Sequence, residues 1–384
     1  MRITNKLAAL TVLALMTGCS TLHSLNPFAT KDTKNQPAAL VELKPGMAVR
    51  TVWKQSIGKA GVYVFSPALA DNSLFVAAAD GAIARLDPAS GREIWRIKAG
   101  SDLTAGVGSD GNVVVVGAAK GGILAFDGAG KLLWKGQASS EILSTPVVGQ
   151  DVVVVRSVDN RITAFDARTG AKKWSVQRTT PALILRNAPG MVISGPNVYV
   201  AQPGGKLLAL TLAAGAPRWE VAVGEPRGAT ELERVTDIAG TPVIFDKDVC
   251  AVSYQGRVGC YDAGTGALRW AKEQSSDVGV AVDQLFVFSA DEKGALAAFG
   301  REGGQSVWKN DKLAYRRLST PVSYQRAVAV GDYQGYIHFL SREDGALIGR
   351  VSTDGSPIIS VAVIAGSNLI FQTQSGTVTA LAVE

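Results

Sequence analysis

The chain has 384 residues, 47% hydrophobic and 19% charged, with 39 basic and 33 acidic side chains and a net charge of +6. That balance suits a core-rich folded protein, and the mild, dispersed charge leaves no dense basic strip for nucleic acid. Two histidines (His23 and His338) and three cysteines leave nucleophilic triads and histidine metal clusters with almost nothing to use.

Residues 1–18 read as an export signal: Arg2 and Lys6 precede the apolar stretch Leu7 to Met16, which is too short to span a membrane. The run Leu15-Met16-Thr17-Gly18-Cys19 resembles the bacterial lipobox, with Met16 where leucine is usual. The resemblance implies cleavage before Cys19 and lipid on its sulfur; Ser20 in place of Asp implies the outer membrane. Residues 19–45, polar and carrying Pro27, Pro37 and Pro45, read as a flexible tether.

From residue 46 to 384 one box recurs, Gly-x-x-x-Trp: Gly91 to Trp95, Gly130 to Trp134, Gly170 to Trp174, Gly215 to Trp219, Gly266 to Trp270 and Gly304 to Trp308. Trp53 sits one repeat earlier, and Gly345 to Gly349 is a copy without its Trp. The steps between Trp-equivalent positions are 42, 39, 40, 45, 51, 38 and 41, a period near 40 that marks a repeat architecture. Within each unit, apolar β-branched runs alternate with polar-Gly hairpins such as Asp80-Gly81 and Gln334-Gly335. This predicts an all-β fold: an eight-bladed β-propeller of four-stranded antiparallel blades. The last unit, Ile358 to Val383, lacks a box, so the strand around Trp53 is expected to close the ring by pairing with the C-terminal strand. Each Trp is expected to fill the wedge between blades and to need a partner for its indole N–H. Asp87, Asp127, Asp166 and Asp262 recur at one place in the repeat and read as turn ligands to backbone N–H groups.

The two long steps place extra residues at 177–190 and 224–240, each between a Trp strand and the next blade. Both loops must emerge side by side on one face, and long loops on a rigid scaffold are the usual seat of function. Leu183, Ile184 and Leu185, flanked by Arg186 and Arg234, read as an apolar anchor with a charged rim. Asp237 is expected either to orient Arg234 or to meet a basic partner residue. Cys250 and Cys260 flank the Gln255-Gly256 hairpin, so they form either a disulfide across it or two buried thiols on neighbouring strands.

The boxes resemble the propellers of pyrroloquinoline-quinone dehydrogenases. With the lipobox and the short tether, the whole chain resembles the BamB family of lipoproteins of the outer-membrane β-barrel assembly (BAM) machine. That resemblance implies a non-enzymatic scaffold on the periplasmic face of the outer membrane, with no cofactor or metal. It implies docking on the periplasmic POTRA domains of BamA and work on unfolded outer-membrane proteins. The family's Leu-x-Leu-Arg loop matches Leu183, Leu185 and Arg186, and its Arg-x-x-Asp segment matches Arg234 and Asp237. Ala239 stands where the family often has a second Asp. The competing reading is a small quinoprotein dehydrogenase, but that family's propeller carries long insertions, a Glu/Asn/Asp metal set and adjacent cysteines. None of these is visible here. A third reading is an envelope propeller with another partner.

Overall fold

The structure is a computed structural model that describes residues 35–43, 46–185 and 188–383. The chain divides into Met1–Pro37 and Ala38–Glu384, and everything below concerns the second unit. Cys19, the export signal and most of the tether lie outside the described residues, as does Arg186.

Among the described residues there are eight four-stranded antiparallel sheets. The first seven blades run in chain order over residues 68–98, 103–137, 147–177, 191–222, 238–273, 280–310 and 322–352. The eighth takes three strands from residues 363–383, and Val49–Ser56 is its outer strand. Val49 pairs with Val383 and Ser56 with Thr377, so the two ends of the chain zip the ring closed.

The burial pattern explains the sequence grammar. The second and third strands of each blade lie between neighbours on both faces, so Val152–Arg156 is buried at every position. Such doubly covered strands read as continuous apolar runs rather than alternating ones. The outer strand faces solvent, and Lys172–Gln177 buries only Trp174. The core is accordingly a set of eight interblade layers. One of them joins Val154, Leu208, Leu210 and Trp174 across blades 3 and 4.

All seven tryptophans perform one task. Each donates its indole N–H to a backbone carbonyl in the outer turn of the next blade, at 2.6 to 3.0 Å, as Trp174 does to Leu212. Each ring lies on the box glycine of that blade. A Cβ on any of the seven glycines would come within 2.4 to 3.2 Å of the ring, and all seven have φ between 66° and 86°. The box glycine therefore serves both the left-handed turn and the stacking. The Trp-less copy follows from the closure. The turn that should receive a ring from position 349 does not exist in blade 8, because its last two strands come from opposite ends of the chain. The segment before the closing strand runs there instead: Met47 O and Val49 Cγ2 each lie 3.5 Å from where a Cβ on Gly349 would stand, and the Gly46 and Met47 amides both donate to Ile348 O at 3.1 Å.

The recurring aspartates are turn ligands, as expected. Asp87, Asp127, Asp166 and Asp262 each accept backbone N–H bonds through Oδ1. Cys250 and Cys260 face each other in register, 4.1 Å apart at Cα, and are joined in a buried disulfide.

Within the stretch expected to be tether, Ala38 and Val41 are held against blade 7. The Ala38 amide donates to Ala314 O, and Ala38 O accepts from Arg316 Nη1 at 2.9 Å. Val41 O accepts from Arg350 Nη2 at 3.0 Å. Behind them Arg316 Nε and His338 Nε2 both meet the buried Asp332 Oδ2, at 2.7 and 2.8 Å. Burial pushes His338 below its ordinary pKa, although Asp332 pulls the other way.

Candidate functional site

The two longest connections link blade 3 to blade 4 and blade 4 to blade 5, so they leave the ring on one face. They are bonded to each other through Asp237, which accepts the Leu185 amide, and the end of the first loop is fastened to blade 5, where the Gly190 amide donates to Gly240 O at 2.7 Å. In the first loop Leu183 is 47% exposed, while Ile184 and Leu185 are half-buried. Ile184 and Leu185 form one wall of a cleft of about 280 Å³, also lined by Leu143, Arg156, Val158 and Pro189.

The second loop carries a small self-capped turn. Glu233 Oε2 accepts the Ala229 and Thr230 amides at 2.8 and 3.0 Å, and Thr230 Oγ1 accepts the Glu233 amide at 3.2 Å. This is the reciprocal pattern of a capping box, closed here on a single turn. The same amide bonds hold the Glu233 carboxyl below its ordinary range. The turn presents Leu232, 72% exposed, beside the exposed Arg234. Sequence reasoning passed over Leu232; the Thr-x-x-Glu spacing around it was the signal that could have found it.

Asp237 has a different role from either one expected. It is only 3% exposed, and its carboxylate accepts two backbone amides: Leu185 at 2.5 Å through Oδ2 and Gly204 at 2.9 Å through Oδ1. Its own carbonyl accepts the Tyr254 amide at 2.8 Å. One residue thus ties the Leu183–Leu185 stretch to turns of blades 4 and 5. Burial raises its pKa above the ordinary value, while the Gly204 and Leu185 amides and the charge of Arg156 pull it down. Arg156, which sequence reasoning also missed, is 4% exposed; burial lowers its pKa to about 10, with Asp237 opposing.

The site therefore brings Leu183, Leu185 and Asp237 together in one bonded unit and places Arg234 on the adjoining loop. Arg186 belongs to the same loop but lies outside the described residues. Leu183 and Leu232 offer exposed apolar surface on these loops, and neither carries a titratable or nucleophilic group. Among the described residues no three His, Cys, Asp or Glu side chains converge as a metal site requires.

The sequence pattern of the family described as outer membrane protein assembly factor BamB matches residues 49–100 and 79–310. The chain belongs to the BamB family. An outer membrane protein assembly factor BamB from Bordetella pertussis is 42% identical over 364 residues, covering 94% of each chain. That of Burkholderia pseudomallei is 41% identical over 351 residues, covering 91% of this chain and 92% of its own. The crystal structure of BamB from Moraxella catarrhalis superposes with a TM-score of 0.79 at 27% identity, covering 87% of this chain and 100% of that one.

Proposed function

We propose that this chain is a non-catalytic scaffold subunit of the outer-membrane β-barrel assembly complex. Its curated relatives are named outer membrane protein assembly factors. It docks on the periplasmic POTRA domains of BamA through Leu183, Leu185, Arg186 and Arg234, with Asp237 holding the first loop in place. It assists the folding and insertion of outer-membrane proteins. Residues 1–18 are the signal, Cys19 carries the lipid that anchors the ring to the periplasmic face of the outer membrane, and the tether runs from there to the ring. One observation carries the docking surface: the two longest interblade loops meet on one face, pinned together, and hold Leu183 and Leu232 out into solvent.

The test is binding of the purified periplasmic domains of BamA to the ring. A central apolar anchor is worth about 2 kcal/mol or more, so Leu183→Asp should weaken binding about thirtyfold or more. Unchanged affinity in Leu183→Asp and Arg234→Glu alike would remove these loops from the interface.

A further inference from the structure

We propose that blade 7 carries a clasp for the chain's own lipid-bearing arm, and that the clasp makes the arm leave the ring on the face that holds the docking loops. The proposal rests on the docking and anchor readings above and adds the site that joins them.

The clasp is built from arginines that meet only backbone carbonyls. The buried Arg316 donates through Nη1 to Ala38 O at 2.9 Å. Its other nitrogens are fixed from behind: Nε by Asp332 Oδ2 at 2.7 Å and Nη2 by Gln334 Oε1 at 2.6 Å. Arg350 donates through Nη2 to Val41 O at 3.0 Å and through Nε to His338 Nδ1 at 3.4 Å. His338 therefore offers its Nε2 hydrogen to Asp332 Oδ2, which ties both arginines to one buried carboxylate. Arg326 Nη2 donates to Gly46 O at 2.6 Å. A carbonyl can belong to any residue, so the clasp fixes the course of the arm rather than reading its side chains.

The repeat shows that this network is not needed to build a blade. His338 pairs with Val330, and in the other seven blades the residue at that register is Ala, Leu, Thr or Gly, never a titratable group. Buried charges are costly to desolvate. Here they stand in the blade against which the arm lies, and the two guanidiniums nearest Asp332 end on Ala38 and Val41.

The topology fixes the side. Ala314 O accepts the Ala38 amide at 2.8 Å. Ala314 and Arg316 belong to the connection from the outer strand of blade 6 to the first strand of blade 7. The docking loops are connections of the same kind, so all three leave the ring on one face. The hairpins agree: Gly204, which Asp237 holds at the docking site, and Asp332, at the clasp, both lie in turns between the second and third strands of their blades. Arg326 is in the turn between the first and second strands of blade 7, on the opposite face. The arm thus crosses the edge of blade 7 from the docking face before it enters the closing strand. Held at Ala38, it leaves residues 19–37, rather than 19–45, between lipid and ring.

The experiment uses the whole mature chain and the variant Arg316→Lys with Arg350→Lys, which keeps the charge beside Asp332 but loses the forked donors. Three quantities are read: hydrogen exchange of the Ala38 amide, affinity for the soluble BamA periplasmic domains, and BamA recovered from envelopes. The variant should speed Ala38 exchange about tenfold or more, leave the unfolding midpoint and the solution affinity near wild type, and lower recovery from envelopes about threefold or more. An Ala38 amide unprotected in wild type, or equally protected in both chains, overturns the clasp. Released Ala38 with full recovery from envelopes overturns its role in presenting the docking face. A wild-type chain that does not bind the soluble domains overturns the docking reading instead, and a mature chain whose mass shows no lipid overturns the anchor reading; in both cases Ala38 exchange still decides the clasp. Should the double variant fail to fold, Arg350→Lys alone must speed Ala38 exchange, and unchanged exchange overturns the clasp.

Discussion

Replacing Gly170 by alanine measures what the Trp–Gly stack contributes. Two effects are added at once. The residue has φ of 71°, and its Cβ would lie 2.6 Å from Trp134 Cδ2. Holding alanine in the left-handed region costs about 1–2 kcal/mol, and forcing a methyl into a packed interface adds about 1–3 kcal/mol. The sum is about 2–5 kcal/mol. Gly100 provides the control: its φ is 75°, and a Cβ there meets nothing within 4 Å. Gly100→Ala should therefore show the backbone cost alone, about 1–2 kcal/mol. Urea unfolding followed by tryptophan fluorescence reports both variants. Equal losses would refute the stacking argument, because they would leave the close approach of blade to blade without energetic weight.

Two further outcomes follow from buried groups. His338 has a folded pKa below its unfolded value of about 6.5. The unfolded chain therefore takes up its proton first as pH falls. The stability is full above about pH 6.5 and is lost below it. Tm should drop between pH 7.5 and 5.5, less so in His338→Gln; parallel curves would contradict this. The Cys250–Cys260 disulfide closes a loop with a separation of 10. Its removal by the double alanine variant should cost about 2–3 kcal/mol in urea unfolding. Affinity for BamA should be unaffected; a loss of binding would place blade 5 in the interface.

Much of the fold was legible in the sequence because one interaction repeats. Every Trp needs a Gly turn on the following blade, so packing wrote itself as a period. The closure by the strand around Trp53 was legible for the same reason, and the lost Trp at Gly349 now has a cause. A recurring β-bulge was hidden. At each box one residue just before the Trp is left unpaired, as Lys173 is between Lys172 and Trp174. The bulge turns the ring inward and leaves the preceding residues exposed. That is why Leu132 and Leu133 lie exposed beside the buried Trp134, although strict alternation would have buried one of the two. In the site, Leu183 and Leu185 were legible as leucines where a loop should be polar. Arg156 was not, because it meets Ala201 O of the next blade and the cleft under Ile184 and Leu185 only once the blades are stacked. The bonds from Arg316 and Arg350 to Ala38 and Val41 were equally hidden, since a backbone carbonyl can belong to any residue.

Co-purification from gently solubilised envelopes tests the central claim most directly. Wild type is compared with Leu185→Asp in the docking loop and with Leu268→Asp, at a leucine 58% exposed on the outer strand of blade 5. Wild type and Leu268→Asp should bring down BamA, and Leu185→Asp should not, with all three rings folded. BamA recovered equally with all three, or with none, would contradict the assignment of these loops as the docking surface.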